Sequence, residues 1–149
     1  MSAIICREVQ DKRELEECYM IRRKIFVQEQ ALFTVTDRDE CDSKALHIIA
    51  LDESKPVGTV RVYEEKDRIW WGGRLAVLRE YRGKAGRPLI HTAIAVVRQK
   101  GARRFFANVQ KKNVRFFKEL GWKEIGNIFL FNEKRHQCME YDLVRHASR

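Results

Sequence analysis

The chain has 149 residues, of which 44% are hydrophobic and 34% are charged, and its formal net charge is +9. This length and apolar content suffice to bury one ordinary core and leave no room for a second, so we expect a single domain over residues 1–149. The first residues lack the long apolar segment of a secretory signal, and no apolar run approaches the roughly 18 residues that would cross a membrane. The sequence therefore predicts a soluble cytoplasmic protein with no membrane partner.

The spacing of apolar residues predicts strands and helices with turn residues at the joints. In chain order, the predicted elements are a strand near residues 3–9, a helix near 12–28, strands near 45–53, 56–65 and 68–78, a helix near 87–100, a strand near 103–109, a helix near 111–120, and strands near 123–132 and 136–143. A right-handed crossover should join the strand that contains Leu75 to the strand that contains Phe105. These elements predict an α/β layer with one parallel pair in a mostly antiparallel sheet.

A basic turn with two glycines, residues 82–88, lies between a predicted strand and a predicted helix. Pro88 suits a first helical turn because its missing N–H would have no intrahelical partner there. A helix that opens directly after such a turn directs its free backbone N–H groups and positive dipole end at one spot, and Arg82, Lys84 and Arg87 surround that spot. The pattern predicts a phosphate-binding site, with an ordinary turn bearing solvated basic side chains as the alternative.

The cysteines and some of the aromatic residues bear on two other kinds of site, a metal or disulfide site and a nucleic-acid site. The four cysteines are scattered without a C-x-x-C pair, so their spacing indicates neither a zinc site nor a disulfide framework, and we expect no metal. Trp70, Trp71, Phe105 and Phe106 accompany basic residues, a combination that can hold single-stranded nucleic acid. These aromatic residues lie in strand-like runs where they are expected to pack. A basic nucleic-acid-binding module is therefore an alternative, and nucleic acid is not the expected partner.

Three segments resemble the GNAT superfamily of acyl-CoA N-acetyltransferases, and they occur in that family's order. In the basic turn, Val77 and Arg82 match the lead-in of the family's pyrophosphate loop, which reads Arg or Gln, two residues, Gly, one residue, then Gly or Ala. Ala85 and Arg87 fall at the two small positions, or Gly86 takes the second of them if one residue is deleted. Either way, the loop departs from the family pattern.

The other two segments lie on either side of this turn. Phe116, Phe117, Gly121 and Trp122 keep the spacing of the family's aromatic–Tyr pair and its following glycine–aromatic pair. The N-terminal segment resembles the ElaA-like branch of the family at residues 21–30, Asp39, Asp42, Ala45, His47 and residues 58–61. His136 and Met139 in the last predicted strand also resemble that branch. The resemblance covers roughly residues 4–143.

The resemblance implies the GNAT fold, with a single central mixed, mostly antiparallel sheet that contains one splayed parallel pair and is flanked by about four helices. It also implies acetyl-CoA as a co-substrate, with its pantetheine arm paired to the first strand of the parallel pair and its pyrophosphate on the basic turn. Gln110 and Asn113 stand where relatives contact the cofactor, although either residue could merely cap a helix. The candidate cofactor-binding residues are Leu75, Ala76, Val77, Arg82, Gly83, Lys84, Ala85, Gly86, Arg87, Gln110, Asn113 and Phe117.

The activity that the resemblance implies is transfer of an acetyl group from acetyl-CoA to a small primary amine within a ternary complex. This reaction needs a proton acceptor for the amine and a backbone N–H donor for the carbonyl oxygen. The N–H of Val77 is the candidate donor, and Glu29 is the leading candidate base. Glu29 could instead pair with Arg22 or Arg23, or bind the substrate amine. A homodimer is left open as a further partner.

Two histidines and one phenylalanine bear on catalysis. His47 is a second catalytic candidate, although a lone histidine in an apolar run is more often a hydrogen-bonded core residue, and His136 could relay a proton. Asp39 and Asp42 could draw a cationic substrate or cap a loop. Phe117 takes the position of the family's usual general-acid tyrosine and cannot donate a proton. A GNAT-fold protein that binds acyl-CoA with little or no catalysis is therefore the other alternative.

Overall fold

The structure is a computed structural model, and it describes residues 3–144. Within that range the chain forms seven strands and three α-helices. The strands are β1 Ile4–Glu8, β2 Leu46–Asp52, β3 Lys55–Lys66, β4 Ile69–Val77, β5 Arg104–Gln110, β6 Trp122–Phe131 and β7 Lys134–Tyr141. The helices are α1 Lys12–Arg22, α2 Gly86–Gln99 and α3 Val114–Glu119. No helix within these residues is long and apolar enough to cross a membrane.

The seven strands form one sheet in the order β1-β2-β3-β4-β5-β7-β6. β4 and β5 are parallel, and every other neighbouring pair is antiparallel. The predicted mixed sheet with one parallel pair is therefore confirmed. The described residues contain three α-helices where about four were expected, because the segment between α1 and β2 forms a π-helical segment, Arg23–Glu29, and a 3₁₀ turn, Glu40–Ser43.

The parallel pair separates partway along its length. Pairing between the two strands ends at Gly72 and Ala107, although β4 continues to Val77 and β5 continues to Gln110. Beyond this point β4 stays paired with β3, and β5 stays paired with β7. A gap therefore opens between β4 and β5, and the predicted splayed pair is confirmed.

An irregularity in β4 lies where the gap begins. Arg61 on β3 is opposite Gly73 on β4, and Thr59 is opposite Ala76, so β4 carries one extra residue between these pairs. Arg74 lies in this segment with a φ of 53°, a left-handed conformation that costs a residue other than glycine about 1–2 kcal/mol. Such bulges bend a strand and increase its local twist. The bulge thus helps to turn β4 away from β5.

The two faces of the sheet carry different helices. On one face, here called the α2 face, α2 buries an apolar stripe that consists of Leu89, Ile90, Ala93, Ile94, Val96 and Val97. This stripe shares a core with Val60, Val62 and Phe105. The other face, here called the α1 face, has a smaller cluster that consists of Ile21, Ile25, Phe26, Leu32 and Ala76. Because side chains alternate along a strand, Arg61 lies on the α1 face.

Candidate active site

A cleft passes through the sheet at the gap between β4 and β5. It has a volume of about 350 Å³ and is lined by residues from both faces. Its lining on the α2 face is apolar and includes Val60, Ile90, Ala93, Phe105 and Phe117. Its lining on the α1 face combines aromatic and polar side chains and includes Phe33, Arg61, Arg74, Phe131 and His136. The cleft therefore joins an apolar chamber to a more polar mouth.

One edge of β4 directs backbone N–H groups into this gap. The N–H of Leu78 donates to the carbonyl oxygen of Val57 on β3 at 2.9 Å. Successive residues in an antiparallel ladder point their N–H groups to opposite sides, so the N–H of Val77 points toward the gap. Pairing with β5 has already ended there. Leu75 lines the described cleft and Val77 does not, whereas the side chain of Ala76 packs in the cluster on the α1 face.

The basic turn follows β4 at the open end of the gap. The carbonyl oxygen of Tyr81 accepts hydrogen bonds from the N–H groups of Lys84 and Ala85, both at 3.0 Å, and Gly83 has a φ of 88° that favours glycine. α2 begins at Gly86, and no side chain caps its first N–H groups. These groups are therefore available to an anion. The exposed side chains around this helix end are Arg82, Lys84 and Arg87.

A histidine on β7 lies at the α1-face mouth of the cleft. His136 is opposite Gln110 on β5, stacks on Phe129 and meets Phe131 edge-on. Its Nδ1 lies 2.9 Å from the carbonyl oxygen of Lys134. A carbonyl oxygen can only accept a hydrogen bond, so in the neutral ring Nδ1 carries the proton and Nε2 carries the lone pair. Nε2 is therefore the atom of His136 that can accept a proton.

Three predicted cofactor-binding residues line the cleft near α3. They are Gln110, Asn113 and Phe117. The side-chain amide of Gln110 donates to Oε1 of Gln30 at 2.9 Å. Phe117 is buried and packs edge-on against Trp122, with ring centroids 5.3 Å apart. At the position where the resemblance expects a proton donor, the cleft therefore has an aromatic ring without a hydroxyl group.

Glu29, at the end of the π-helical segment, is paired with the basic turn. Its carboxylate accepts a hydrogen bond from Arg82 and lies 3.7 Å from the guanidinium of Arg79. The hydrogen bond from Arg82 holds the pKa of Glu29 below its ordinary value. Glu29 does not belong to the cleft lining among the described residues. Its partner is not Arg22, which is buried and bound elsewhere.

His47 is buried beside the charged residues of the α1 face. Its Nε2 lies 3.0 Å from the carbonyl oxygen of Asp42, and its ring meets Tyr19 edge-on with centroids 5.6 Å apart. Burial lowers the pKa of His47. Within the described residues His47 is not part of the cleft lining, so the structure does not bring it into the cleft with His136.

A charged network holds the residues before β2 against the α1 face. Its members are Arg22, Arg61, Arg74, Asp37, Asp39 and Asp42. Arg22, which is 1% exposed, donates to Asp37 at 2.7 Å and to both carboxylate oxygens of Asp42 at 2.8 and 3.0 Å. Three guanidinium groups meet three carboxylates, so the formal charges within the network cancel.

Arg61 and Arg74 bring this network to the mouth of the cleft. Nη1 and Nη2 of Arg61 donate to Asp39 at 2.6 and 2.9 Å, and Nη1 also donates to Asp42 at 2.9 Å. Arg74 donates to the carbonyl oxygen of Asp37 at 2.9 and 3.0 Å and to Asp39 at 3.2 Å. Asp39, Arg61 and Arg74 all line the cleft. Asp39 and Asp42 thus bind arginines as well as capping the 3₁₀ turn, where Asp39 accepts from the N–H of Cys41.

Several residues that shape the mouth were not predicted from the sequence, above all Gly73, Arg74 and Phe33. One signal for them was present, because two consecutive glycines inside a strand indicate a bulge or a close approach. The guanidinium of Arg74 lies over the ring of Phe33 at 4.8 Å, a contact that the sequence alone does not indicate. Among residues 3–144, no group of three or more His, Cys, Asp or Glu side chains is arranged to hold a metal ion.

Comparison with known sequences identifies relatives of this chain. A model of the acetyltransferase (GNAT) family matches residues 12–122. The chain is 29% identical over 127 residues to the uncharacterized N-acetyltransferase YjcF of Bacillus subtilis (strain 168), and the match covers 85% of this chain and 88% of that protein.

Solved structures share the fold. ElaA of Escherichia coli matches with a TM-score of 0.82 and 18% identity, covering 95% of this chain and 100% of that chain. FeeM, an N-acyl amino acid synthase from uncultured soil microbes, matches with a TM-score of 0.81 and 11% identity, covering 99% of this chain and 95% of that chain. At these identities the structural likeness shows the fold alone. Since the family model matches most of the chain, this protein is an acyltransferase that belongs to the GNAT acetyltransferase family.

Proposed function

We propose that this chain transfers the acetyl group of acetyl-CoA to the primary amine of a small molecule by direct attack in a ternary complex. The observation that carries the proposal is the cleft through the sheet, which is lined by Leu75 of β4 and by His136, while the N–H of Val77 is directed toward the gap between β4 and β5. Family membership supports an acyl-CoA donor. The acetyl group and the small primary amine are part of the proposal, and a fold neighbour that is an N-acyl amino acid synthase is consistent with a small acceptor.

In this proposal the basic turn and the start of α2 bind the pyrophosphate of the donor. The uncapped N–H groups at Gly86 and Arg87 are the anion-binding donors, and the turn is shaped by Gly83 and Ala85. The side chains that neutralise the phosphates are Arg82, Lys84 and Arg87. The pantetheine arm lies along the backbone of Leu75, Ala76 and Val77 and is flanked by Gln110, Asn113 and Phe117.

His136 is the general base in this proposal. The amine must lose a proton as its nitrogen attacks the carbonyl carbon, and Nε2 of His136 is held ready to accept one at the α1-face mouth. Glu29 and His47, the candidates from the sequence, are less well placed. Glu29 is bound to Arg82, and His47 is buried and does not itself line the described cleft. We therefore assign Glu29 to the basic turn and His47 to support of the segment before β2.

The bond changes balance without a metal ion or a further reactant. The amine nitrogen forms a bond to the carbonyl carbon, the C–S bond breaks, CoA leaves as a thiolate, and the amine proton passes to His136. The N–H of Val77 donates to the carbonyl oxygen as negative charge develops on it. Since Phe117 has no proton to give, the thiolate takes its proton from water. A thiol pKa near 8.5 makes this departure tolerable without a general acid.

A GNAT-fold protein that binds acyl-CoA with little catalysis is the second candidate function. Phe117 is the observation that favours it, because a missing general acid slows the departure of the thiolate at neutral pH. Both functions use the same donor site, and only the first includes acetyl transfer after the donor has bound. They are therefore separated by measuring transfer in a protein that has been shown to bind acetyl-CoA.

The experiment has a binding arm and a transfer arm. Calorimetry should show saturable binding of acetyl-CoA to the wild type and binding at least about tenfold weaker to Gly86→Glu, because the new carboxylate repels the phosphates at the helix end. Ala95→Glu, an exposed position on the same helix, should bind like the wild type. Absence of binding by the wild type, or equal binding by Gly86→Glu, would contradict the donor site.

The transfer arm measures release of the CoA thiol across a panel of small primary amines. The wild type should acetylate at least one amine, and His136→Gln should lower kcat by about a hundredfold or more without changing acetyl-CoA affinity. His91→Gln, an exposed histidine on α2, is the matched control. Binding without transfer to any amine would favour the second candidate function, and an unchanged kcat in His136→Gln would remove His136 as the base.

A further inference from the structure

Arg61 holds a buried hydrogen-bond donor that no protein group satisfies. The residue is 4% exposed and lines the cleft. Its two terminal nitrogens donate to Asp39 and Asp42, whereas its Nε–H is buried and has no hydrogen-bond partner among the described residues. Buried donors in folded proteins nearly always have a partner. Nδ1 of His47, opposite Arg61 on β2, is likewise buried without a partner in the described part of the chain, so the missing acceptor is either a water shared with His47 or, because Arg61 lines the cleft, an atom of a bound ligand.

Gly73 leaves open space beside this donor. Arg61 and Gly73 are direct partners across β3 and β4, so a side chain at position 73 would project on the α1 face next to Arg61. A Cβ atom built on Gly73 would meet no heavy atom of the described residues within 4 Å, and Gly73 also lines the cleft. Gly73 does not have a positive φ, so its backbone does not require glycine. The missing side chain therefore serves to keep this part of the cleft open.

The neighbouring Gly72 shows that this openness is local. A Cβ on Gly72 would lie 3.1 Å from the ring of Phe105 on the α2 face, so that position is already filled. The space at Gly73 lies instead on the face of Arg61 and His136, where the proposed function places the amine. The atom that reaches the Nε–H of Arg61 therefore belongs to the acceptor and not to the donor.

The charge of the network indicates what kind of atom this is. Burial alone would lower the pKa of Arg61, but hydrogen bonds with Asp39 and Asp42 raise it well above the ordinary value, so the side chain stays cationic. Because the six charges of the network cancel, Arg61 does not require another full negative charge. Its Nε–H suits an oxygen acceptor, either the carbonyl of an amide or one oxygen of a carboxylate.

We propose that the Nε–H of Arg61 and the space beside Gly73 form a subsite for a carbonyl oxygen next to the reacting amine, so that the acceptor is an amino acid or its amide. This inference rests on the proposed function and deepens it. The aromatic side chains at the same mouth, including Phe33 and Phe131, favour an acceptor with an apolar or aromatic substituent. Arg61 positions the acceptor and takes no proton.

The test compares three amines that differ only in the group beside the amine. They are phenylalanine, phenylalaninamide and phenethylamine, and the last lacks the carbonyl carbon altogether. For the wild type, kcat/KM should be at least about tenfold higher for one or both carbonyl-bearing amines than for phenethylamine, as expected for a hydrogen bond to a charged group. Preference for the amide would identify a neutral carbonyl, and preference for the acid a carboxylate.

Gly73→Ala and Gly73→Val fill the space in two steps. Gly73→Val should lower kcat/KM for the preferred carbonyl-bearing amine at least about tenfold and change that for phenethylamine less than about threefold, with Gly73→Ala in between. Each fold-change compares the variant with the wild type on the same amine. Differences in basicity between the amines therefore do not affect the comparison. Acetyl-CoA affinity and Tm should stay at or above the wild-type values, because replacing glycine in a strand does not strain this backbone.

The outcomes separate this inference from the proposed function. If no amine is acetylated, the proposed function fails and the inference falls with it. If phenethylamine is acetylated with the same kcat/KM as its carbonyl-bearing relatives, the inference alone is wrong. The same holds if Gly73→Val lowers kcat/KM equally for all three amines. If Gly73→Val weakens acetyl-CoA binding, the space serves the donor, which also overturns the inference. Arg61→Lys, with its fold checked by its melting curve, should lose the same preference without losing the network's charge.

Discussion

Phe117 contributes to the packing of the fold and, in the proposed reaction, supplies no proton. Its ring fills a buried position between Phe116 and Trp122 that a tyrosine ring would fill equally well. The difference is a single hydroxyl group, which could donate a proton to the departing thiolate in the proposed reaction. If the proposed reaction is correct, phenylalanine in place of tyrosine at position 117 should therefore affect the reaction rate far more than the packing of α3.

Phe117→Tyr should restore this donor. Because Phe117 lines the cleft, we expect kcat to rise about tenfold or more near pH 7 and the gain to shrink above the thiol pKa of about 8.5, where the thiolate leaves without a proton. Release of the CoA thiol across a pH series measures both effects. Phe116→Tyr is the matched control, since Phe116 lies next to Phe117 and is not part of the described cleft lining. Equal rates in all three proteins at every pH would mean that proton donation does not limit the reaction.

At the scale of elements, local patterns predicted most of what the structure shows. The start of α2 was expected near residue 87 and is found at Gly86, because Pro88 and the preceding glycines are local signals. The bulge at Arg74 was not predicted, since a left-handed arginine depends on the carbonyl oxygen of Asp37, which is distant in sequence. The tautomer of His136 could not be predicted either. It depends on the carbonyl oxygen of Lys134, whose position is set by the fold at the start of β7.

The contact between the π-helical segment and the basic turn joins two elements through Glu29. Its carboxylate accepts a hydrogen bond from Arg82, the side chain that the proposed function assigns to the pyrophosphate. Glu29→Gln should therefore strengthen acetyl-CoA binding about two- to fivefold at low salt, the range expected for removing one partly exposed ion pair. The effect should fade as ionic strength rises, because salt screens exposed charges. Calorimetry at two salt concentrations measures it.

The same variant tests the role that the sequence suggested for Glu29. If Glu29 were the general base, Glu29→Gln would lower kcat by about a hundredfold or more and leave binding unchanged. Tighter binding with an unchanged kcat would assign Glu29 to the basic turn. Glu53→Gln is a suitable control, because Glu53 is an exposed carboxylate in the turn between β2 and β3.

At the scale of the whole molecule, the charged network connects elements that are far apart in sequence. Its hydrogen bonds join residues separated by 15 to 37 positions, and they tie α1, the segment before β2, β3 and β4 together. Asp39, Asp42 and residues 58–61 could be singled out from the sequence, because they match a family pattern. The sequence could not indicate their partners, since each pairing exists only once the sheet and α1 have formed. The fold was thus largely predictable, whereas the α1-face lining of the cleft was not.

Asp42 makes the stability of the fold depend on pH. Burial alone would raise the pKa of Asp42, but hydrogen bonds from Arg22, the N–H of Asp39 and Arg61 lower it well below its ordinary value. A carboxyl group whose pKa is lower in the folded state stabilises the fold above its unfolded pKa, near 3.9, and this stability is lost as pH falls through the folded pKa. The free energy of unfolding should therefore begin to fall below about pH 5 and decrease further in stronger acid.

Asp42→Asn should expose this dependence. Removing one partner of a buried ion pair leaves Arg22 and Arg61 undercompensated, so the free energy of unfolding at pH 7 should fall by about 3–5 kcal/mol, and Tm by roughly 10 °C. The variant should also lose less further stability between pH 5 and pH 3 than the wild type, because position 42 no longer titrates.

Asp67→Asn, at an exposed turn position with a φ of 51° that asparagine tolerates, should keep both the wild-type Tm and its acid sensitivity. Melting curves at pH 7, 5 and 3 measure all three proteins, and a variant at position 42 with the wild-type Tm would show that the network does not hold the fold together.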